Sequence, residues 1–346
     1  MGLKANTPVL GIFLTLCLTF ISSRCSSRSK QGHISQPSGN QIIKMAVQPQ
    51  CGDLSSDKFV NFNTGINLDQ IKTIYSFGDS WTTNGNSEGG VAKPAVAKGD
   101  SSLYGLRPTN GPVWTEDLAS DGKILKNYAV GGATLDHNLW KARATKTDMI
   151  GHVDNFLKQK LTVDSDSSLA TIFYGINDYS ASLQGPGNFE DAEKQLLNQT
   201  ERLINAGIKK FIVVSPPFDK KQIKSFESST WNGFKKLKES KNIEFAYIDL
   251  VALFSAILAN PSSFGYQSVE SCLKSLQTTV GRCKNPEVYL YWIPSHPQVQ
   301  THRLIADWVR AVLKNCQQKS SNRSKYARIR RSIGDRSPES FSSSPL

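Results

Sequence analysis

The sequence predicts a doubly wound α/β domain, three layers deep, with five parallel strands between helices. Three observations lead there. Short β-rich runs alternate with helical patterns from about residue 70 to residue 315. Strands that alternate with helices close into parallel βαβ units. The chain has 346 residues, 38% of them hydrophobic, enough for a sizeable core.

The strand candidates are Ile71 to Phe77, Ile124 to Ala129, Leu169 to Tyr174, Lys210 to Ser215 and Ile243 to Asp249. Each is a short apolar run bounded by turn residues, as expected of strands covered on both faces. The helix candidates are Val113 to Ser120, Met149 to Leu161, Phe189 to Ala206, Phe218 to Ser240 and Val299 to Lys314. In the third of these, Leu196, Leu197, Leu203 and Ile204 share one stripe, the mark of a helix packed against a core. The expected domain runs from 51 to 316, and no internal repeat is apparent.

The flanks read differently. Residues 1 to 25 carry Lys4, a short apolar run from Val9 to Ile21 and small polar residues, which is the pattern of a signal peptide. The apolar run is shorter than the ~20 residues a spanning helix needs, so the chain is expected to be exported without a lasting membrane anchor. A retained anchor is the competing reading. Residues 26 to 50 are Ser-, Gln- and Gly-rich and read as a linker or pro-segment, and 317 to 346 as a basic, disordered Ser/Arg-rich tail. Arg328, Arg330 and Arg331 in that tail form a basic pattern of the kind secretory processing proteases cut, or simply a solvated charged end.

The formal charge of +12 resides chiefly in these flanks. The first 50 residues and the last 30 each contribute +5, which leaves +2 for the domain and no reason to expect a nucleic-acid partner. With Cys17 in the signal and Cys25 at its end, Cys51, Cys272, Cys283 and Cys316 remain for an exported domain, and an even number there favours two disulfides. Three pairings exist; the favoured one joins Cys272 to Cys283 as a local staple and Cys51 to Cys316 across the domain. Four unpaired thiols are the alternative. Asn198 and Asn322 head the triplets of N-glycosylation acceptors.

Parallel sheets bind ligands at the carboxyl ends of their strands, so the residues delivered there are the first candidates for a site. The first strand ends in Phe77-Gly78-Asp79-Ser80-Trp81-Thr82, where a glycine permits a tight turn ahead of a serine. The second runs into Asn127 to Thr134, with Gly131 and Gly132 allowing close backbone approach. The third runs into Gly175-Ile176-Asn177-Asp178, and Trp292-Ile293-Pro294-Ser295-His296-Pro297 precedes the last helix. Gly85-Asn86-Ser87-Glu88-Gly89 matches G-x-S-x-G, but it does not follow directly on a strand, so Ser87 is read as a chance match.

These four blocks resemble those of the SGNH, or GDSL, hydrolases, over roughly residues 70 to 315. Within that superfamily Phe77 to Thr83, Asn110 to Trp114 and Asn127 to Thr134 look most like fungal acetylesterases of carbohydrate esterase family 16 and plant GDSL lipases. The resemblance implies a flavodoxin-like three-layer fold and a serine esterase acting on small esters or acylated oligosaccharides, with no metal or cofactor; with the signal pattern the protein is expected to be secreted, and it is expected to be a monomer. It implies Ser80 as nucleophile, His296 as base, and Ser80, Gly132 and Asn177 as oxyanion donors. Trp81 and Trp292 are candidates to stack on a sugar ring or acyl chain, and equally for a place in the core. Short acyl groups, acetyl above all, are the expected substrates, and lipid esters come second.

One position departs from the family. The aspartate usually found three residues before the histidine is Ile293 here. Three readings are open: a Ser-His dyad oriented by a backbone carbonyl or water, a substitute carboxylate such as Asp249, whose default role is to cap the next helix, or a pocket that binds without catalysing.

Overall fold

The computed structural model describes residues 43–56, 60–141 and 147–318. The signal peptide, residues 26–42 of the expected linker, Asn322 and the basic tail from residue 319 lie outside them.

Five strands form the parallel sheet: β2 (Thr73–Gly78), β3 (Ile124–Asn127), β4 (Ser168–Phe173), β5 (Lys210–Val214) and β6 (Glu244–Ile248). A two-residue strand, β1 (Phe62–Asn63), adds an antiparallel edge against β6, so the order across the sheet is β1-β6-β5-β4-β2-β3. Starting in the middle at β2, the chain winds first to β3 on one side and then to β4, β5 and β6 on the other. That reversal opens a crevice beyond the carboxyl end of β2, where open α/β sheets hold their ligands.

Side chains of the central strands alternate between two cores. Tyr75, Phe77, Ala170, Ile172, Phe211 and Val213 face one core. There they meet α2 (Met149–Lys158), α4 (Phe189–Asn205) and α5 (Lys221–Lys241). Ile74, Leu169, Ile212, Val214, Ala246 and Ile248 face the other, with α1 (Trp114–Leu118), α6 (Leu250–Ala259) and α8 (Val299–Asn315). Helix starts follow local chemistry: Asp148, Asn188 and Asp249 accept backbone N–H bonds from Gly151, from Glu190 and Asp191, and from Ala252. Such caps satisfy donors that a helix leaves open.

Several elements have no clear signature in the sequence. Helix α3 (Ile176–Ser182) starts within the third block, and α7 (Pro261–Phe264) follows α6. A second sheet of β7 (Ser268–Ser271), β8 (Tyr289–Ile293) and β9 (His296–Pro297) occupies the stretch before α8. The N-terminal boundary also moves. Ile43 is buried in the second core and the Lys44 N–H donates to the Phe264 carbonyl at 3.0 Å, so residues 43–50 pack on the domain instead of leading into it as linker. The apolar spacing of Ile43, Met45 and Val47 makes this possible.

The structure has the disulfides Cys51–Cys316 and Cys272–Cys283. The first closes a loop of 265 residues and joins the two ends of the domain. On loop entropy alone such a crosslink stabilises by about 5.6 kcal/mol, against about 3 kcal/mol for the 11-residue staple. Among the described residues no helix is long and apolar enough to cross a membrane.

Candidate active site

Ser80 follows β2 by two residues, on a turn that only a glycine permits. A Cβ at Gly78 would lie 2.7 Å from the Thr82 hydroxyl and 2.9 Å from the Phe173 carbonyl. Asp79 closes the turn: its carbonyl accepts from the N–H groups of Thr82 and Thr83, and its carboxylate from the N–H of Trp81 at 3.0 Å. Ser80 is thereby held facing the crevice.

His296 arrives from the second sheet. Pro294 and Ser295 connect β8 to β9 so tightly that Ile293 pairs with His296, and Ser295 takes a φ of 63°. That left-handed conformation is costly for a residue with a Cβ. It is secured by the Trp81 indole, whose Nε1–H donates to the Ser295 carbonyl at 3.0 Å. The outcome is a 2.9 Å contact between His296 Nε2 and Ser80 Oγ, across 216 residues of sequence, while His296 Nδ1 lies 2.8 Å from the Pro294 carbonyl.

A carbonyl oxygen only accepts, so the proton of the neutral ring is on Nδ1 and the Nε2 lone pair is turned to the Ser80 hydroxyl. Burial lowers the pKa of His296, opposed in part by the bond to Pro294. The ring is therefore neutral and able to take a proton at pH 7.

Gly131 and Gly132 run alongside. A Cβ on Gly131 would come within 3.8 Å of the Ser80 Cβ, and Gly132 has a φ of 84°. Asn177, in the first turn of α3, directs its Nδ2 to the Asp79 carboxylate at 3.2 Å and to the Ala133 carbonyl at 2.9 Å. Both protons of the amide are thus engaged, and donation to an oxyanion requires exchange of one.

These side chains line one end of a cleft of about 700 Å³. The rest of its wall is chiefly apolar, with Leu103, Leu106, Val130, Ile176, Leu276 and Ile293 among the lining residues. Two loops build the outer wall, residues 85–108 and the disulfide-stapled stretch 272–283. They are joined where the Ser102 hydroxyl donates to the Leu276 carbonyl and the Thr279 N–H to the Asp100 carbonyl.

Three expected residues do not take the expected roles. Trp292 is fully buried under the second sheet, with its indole N–H on the Ser102 carbonyl at 2.7 Å, because alternation along β8 turns Leu290 and Trp292 inward. It does not line the cleft. Trp81 borders the cleft but is 3% exposed and packs on Phe173 and Phe254, so it offers no face for stacking. Asp249 caps α6 through the Ala252 N–H at 3.1 Å, away from the His296 Nδ1 that the Pro294 carbonyl occupies. Ser87 borders the cleft from an irregular loop, and the histidine contacts Ser80 instead. Sequence reasoning missed the Trp81 clamp, the Asp79–Asn177 contact and the two wall loops; only Asp79 carried a signal, as part of the first block. Asn198 is exposed on α4.

Residues 74–309 match the GDSL-like lipase/acylhydrolase family. Among curated proteins the chain is similar to the thermolabile hemolysin of Vibrio parahaemolyticus, 24% identical over 275 residues that cover 69% of this chain and 63% of that protein. The match thus spans less than two thirds of the hemolysin. It is also similar to a GDSL esterase/lipase of Arabidopsis thaliana, 22% identical, covering 68% of this chain and 84% of the relative. Solved structures with some likeness include the acetyl xylan esterase AlAXEase (18% identity, 70% of this chain and 99% of that one, TM-score 0.39). A lipolytic G-D-S-L protein from Veillonella parvula gives 19% identity, 70% and 98% coverage and a TM-score of 0.38. With the family match extending over more than half its length, this chain belongs to the GDSL-like lipase/acylhydrolase family, a family of carboxylic ester hydrolases.

Proposed function

We propose that the protein is an exported serine esterase in which a Ser80–His296 dyad, oriented by the Pro294 carbonyl, cleaves esters with an apolar acyl chain. The observation that carries this is the 2.9 Å contact of Ser80 Oγ with a His296 ring whose tautomer is set by a backbone acceptor. In a serine protease, changing the orienting Asp to Asn costs about 10⁴ in kcat, chiefly through the wrong tautomer. Here the tautomer is right. What Ile293 withholds is the charge that steadies the imidazolium.

Ser80 Oγ attacks the ester carbonyl carbon as its proton passes to His296 Nε2. The developing oxyanion is held by the N–H groups of Ser80 and Gly132 and by the Asn177 amide. Collapse expels the alcohol, which takes the proton from Nε2, and water then repeats the sequence on the acyl-serine. The scheme uses no metal or cofactor.

The apolar cleft favours an acyl chain of several carbons over acetyl, since sugar hydroxyls buried against leucine and valine would lack partners. Two disulfides suit an oxidising compartment, in keeping with export. The test is hydrolysis of p-nitrophenyl acetate, butyrate and octanoate by the parent and by Ser80→Ala. Turnover that rises from acetate to the longer esters and disappears in Ser80→Ala supports the reading. A silent parent, or activity that survives in Ser80→Ala, overturns it.

A further inference from the structure

The two wall loops carry a feature that ester cleavage alone does not use. Six large apolar side chains stand exposed among the described residues, and four of them belong to these loops: Val91 at 95%, Val280 at 73%, Val96 at 62% and Leu106 at 52%. Each is tied to the mouth of the cleft. The Val91 carbonyl accepts from Asn86, next to the cleft-lining Ser87. The Val96 carbonyl accepts from the N–H of Gly105, next to the cleft-lining Leu106. Val280 follows Thr279, whose N–H crosses to Asp100 on the facing loop.

The same loops, with the residue that follows the staple, are basic. Lys93, Lys98, Lys274, Arg282 and Lys284 are exposed, against Glu88 and Asp100, a local balance of +3 on a domain of only +2. No ion pair among the described residues involves these five cations. Loops that carry exposed apolar side chains together with unpaired basic ones suit a lipid boundary, where apolar groups enter the acyl region and cations meet the headgroups. A soluble polyanion would satisfy the cations but leave the valines wet.

We propose that this rim is a docking face for an anionic phospholipid surface. Val91, Val96 and Val280 enter the boundary between headgroups and acyl chains, and the five cations pair with the headgroups. The cleft mouth is thereby pressed against the source of its substrate. The identity of the substrate as a membrane-borne acyl ester rests on the esterase reading above; the docking itself does not.

The test is co-sedimentation of the full chain with vesicles of phosphatidylcholine, with and without phosphatidylserine, for the parent and for Val91→Asp/Val96→Asp/Val280→Asp. The basic tail is present in both proteins and cancels. The parent is expected to bind the anionic vesicles more tightly. The triple variant is expected to lose on the order of tenfold in partitioning for each valine. Hydrolysis of soluble p-nitrophenyl butyrate should be unchanged in the variant, which also shows that it is folded. Undiminished vesicle binding by the folded variant overturns docking, as does a loss of polygalacturonate binding in the variant as large as its loss of vesicle binding. If the parent does not hydrolyse soluble ester, the esterase reading fails, while the vesicle measurement still decides the docking face.

Discussion

Trp81→Phe breaks a hydrogen bond that ties the Ser80 turn to the histidine loop. A phenyl ring at position 81 replaces only the inner part of the indole, which packs on Phe173 and Phe254 at centroid distances of 5.9 and 5.4 Å in the parent, and the outer ring is removed. The Nε1 donor is lost, and with it the bond to the Ser295 carbonyl at 3.0 Å. A hydrogen bond of this kind contributes about 1 kcal/mol, and the smaller ring adds roughly 1 to 2 kcal/mol for the space left behind, so the domain should lose about 2 to 3 kcal/mol. The larger effect is on chemistry. Ser295 is held at a φ of 63°, and without its clamp the loop is free to relax, carrying His296 from its 2.9 Å contact with Ser80. A displacement near 1 Å costs about 10² in rate. The assay is steady-state hydrolysis of p-nitrophenyl butyrate beside thermal unfolding. The expected result is a kcat lower by roughly 30- to 100-fold with little change in KM. A kcat equal to that of the parent, alongside the expected loss of stability, would refute the clamp and leave Trp81 a core residue only.

Asn177→Ala should lower kcat by about 10² to 10³, near 3 kcal/mol of barrier, and cost about 1 to 3 kcal/mol of stability through its lost bonds to Asp79 and Ala133; an effect confined to KM would remove Asn177 from the oxyanion site. His152 and His302 are buried with pKa values lowered to about 4 and about 3, chiefly by burial. The unfolded chain takes up these protons below pH 6.5 and the folded one does not, so stability falls as pH drops from 6.5, by about 2 kcal/mol for each histidine at pH 5. Urea unfolding at pH 7 and pH 5 checks this, and equal stabilities would contradict it. Glu227 is buried with no hydrogen-bond partner for its Oε1, and burial together with Asp249 raises its pKa to about 8. Its cost sets in as pH rises above the unfolded value of 4.5, so Glu227→Gln should stabilise by roughly 3 kcal/mol at pH 7 and by little at pH 4. An equal change at both pH values would trace the effect to packing instead.

Much of the scaffold was legible because its physics is local. Five apolar runs separated by amphipathic stretches specify strands and helices wherever they lie, and all five strands of the parallel sheet overlap the expected runs. The blocks around Ser80, Gly132 and Asn177 lie at strand ends, so a parallel sheet brings them to one rim once it forms. The second sheet was not legible. Its strands are short, irregular in register and spaced without the alternation of βαβ units, and their pairing is decided by which segments meet in the folded chain.

Sequence by itself determined the parallel α/β fold, through residue type and local periodicity, and its four blocks, through their resemblance to the SGNH hydrolases, pointed to the serine after the first parallel strand and the histidine ahead of the last helix. Only the tertiary structure decided what orients that histidine. The Pro294 carbonyl is backbone, common to every residue, and becomes a partner only because a two-residue connection folds it under the ring. The same holds for the tryptophans: alternation along β8 buries Trp292, and the indole of Trp81 finds the Ser295 carbonyl 214 residues away. Distances of that kind are set by packing, and no local pattern carries them.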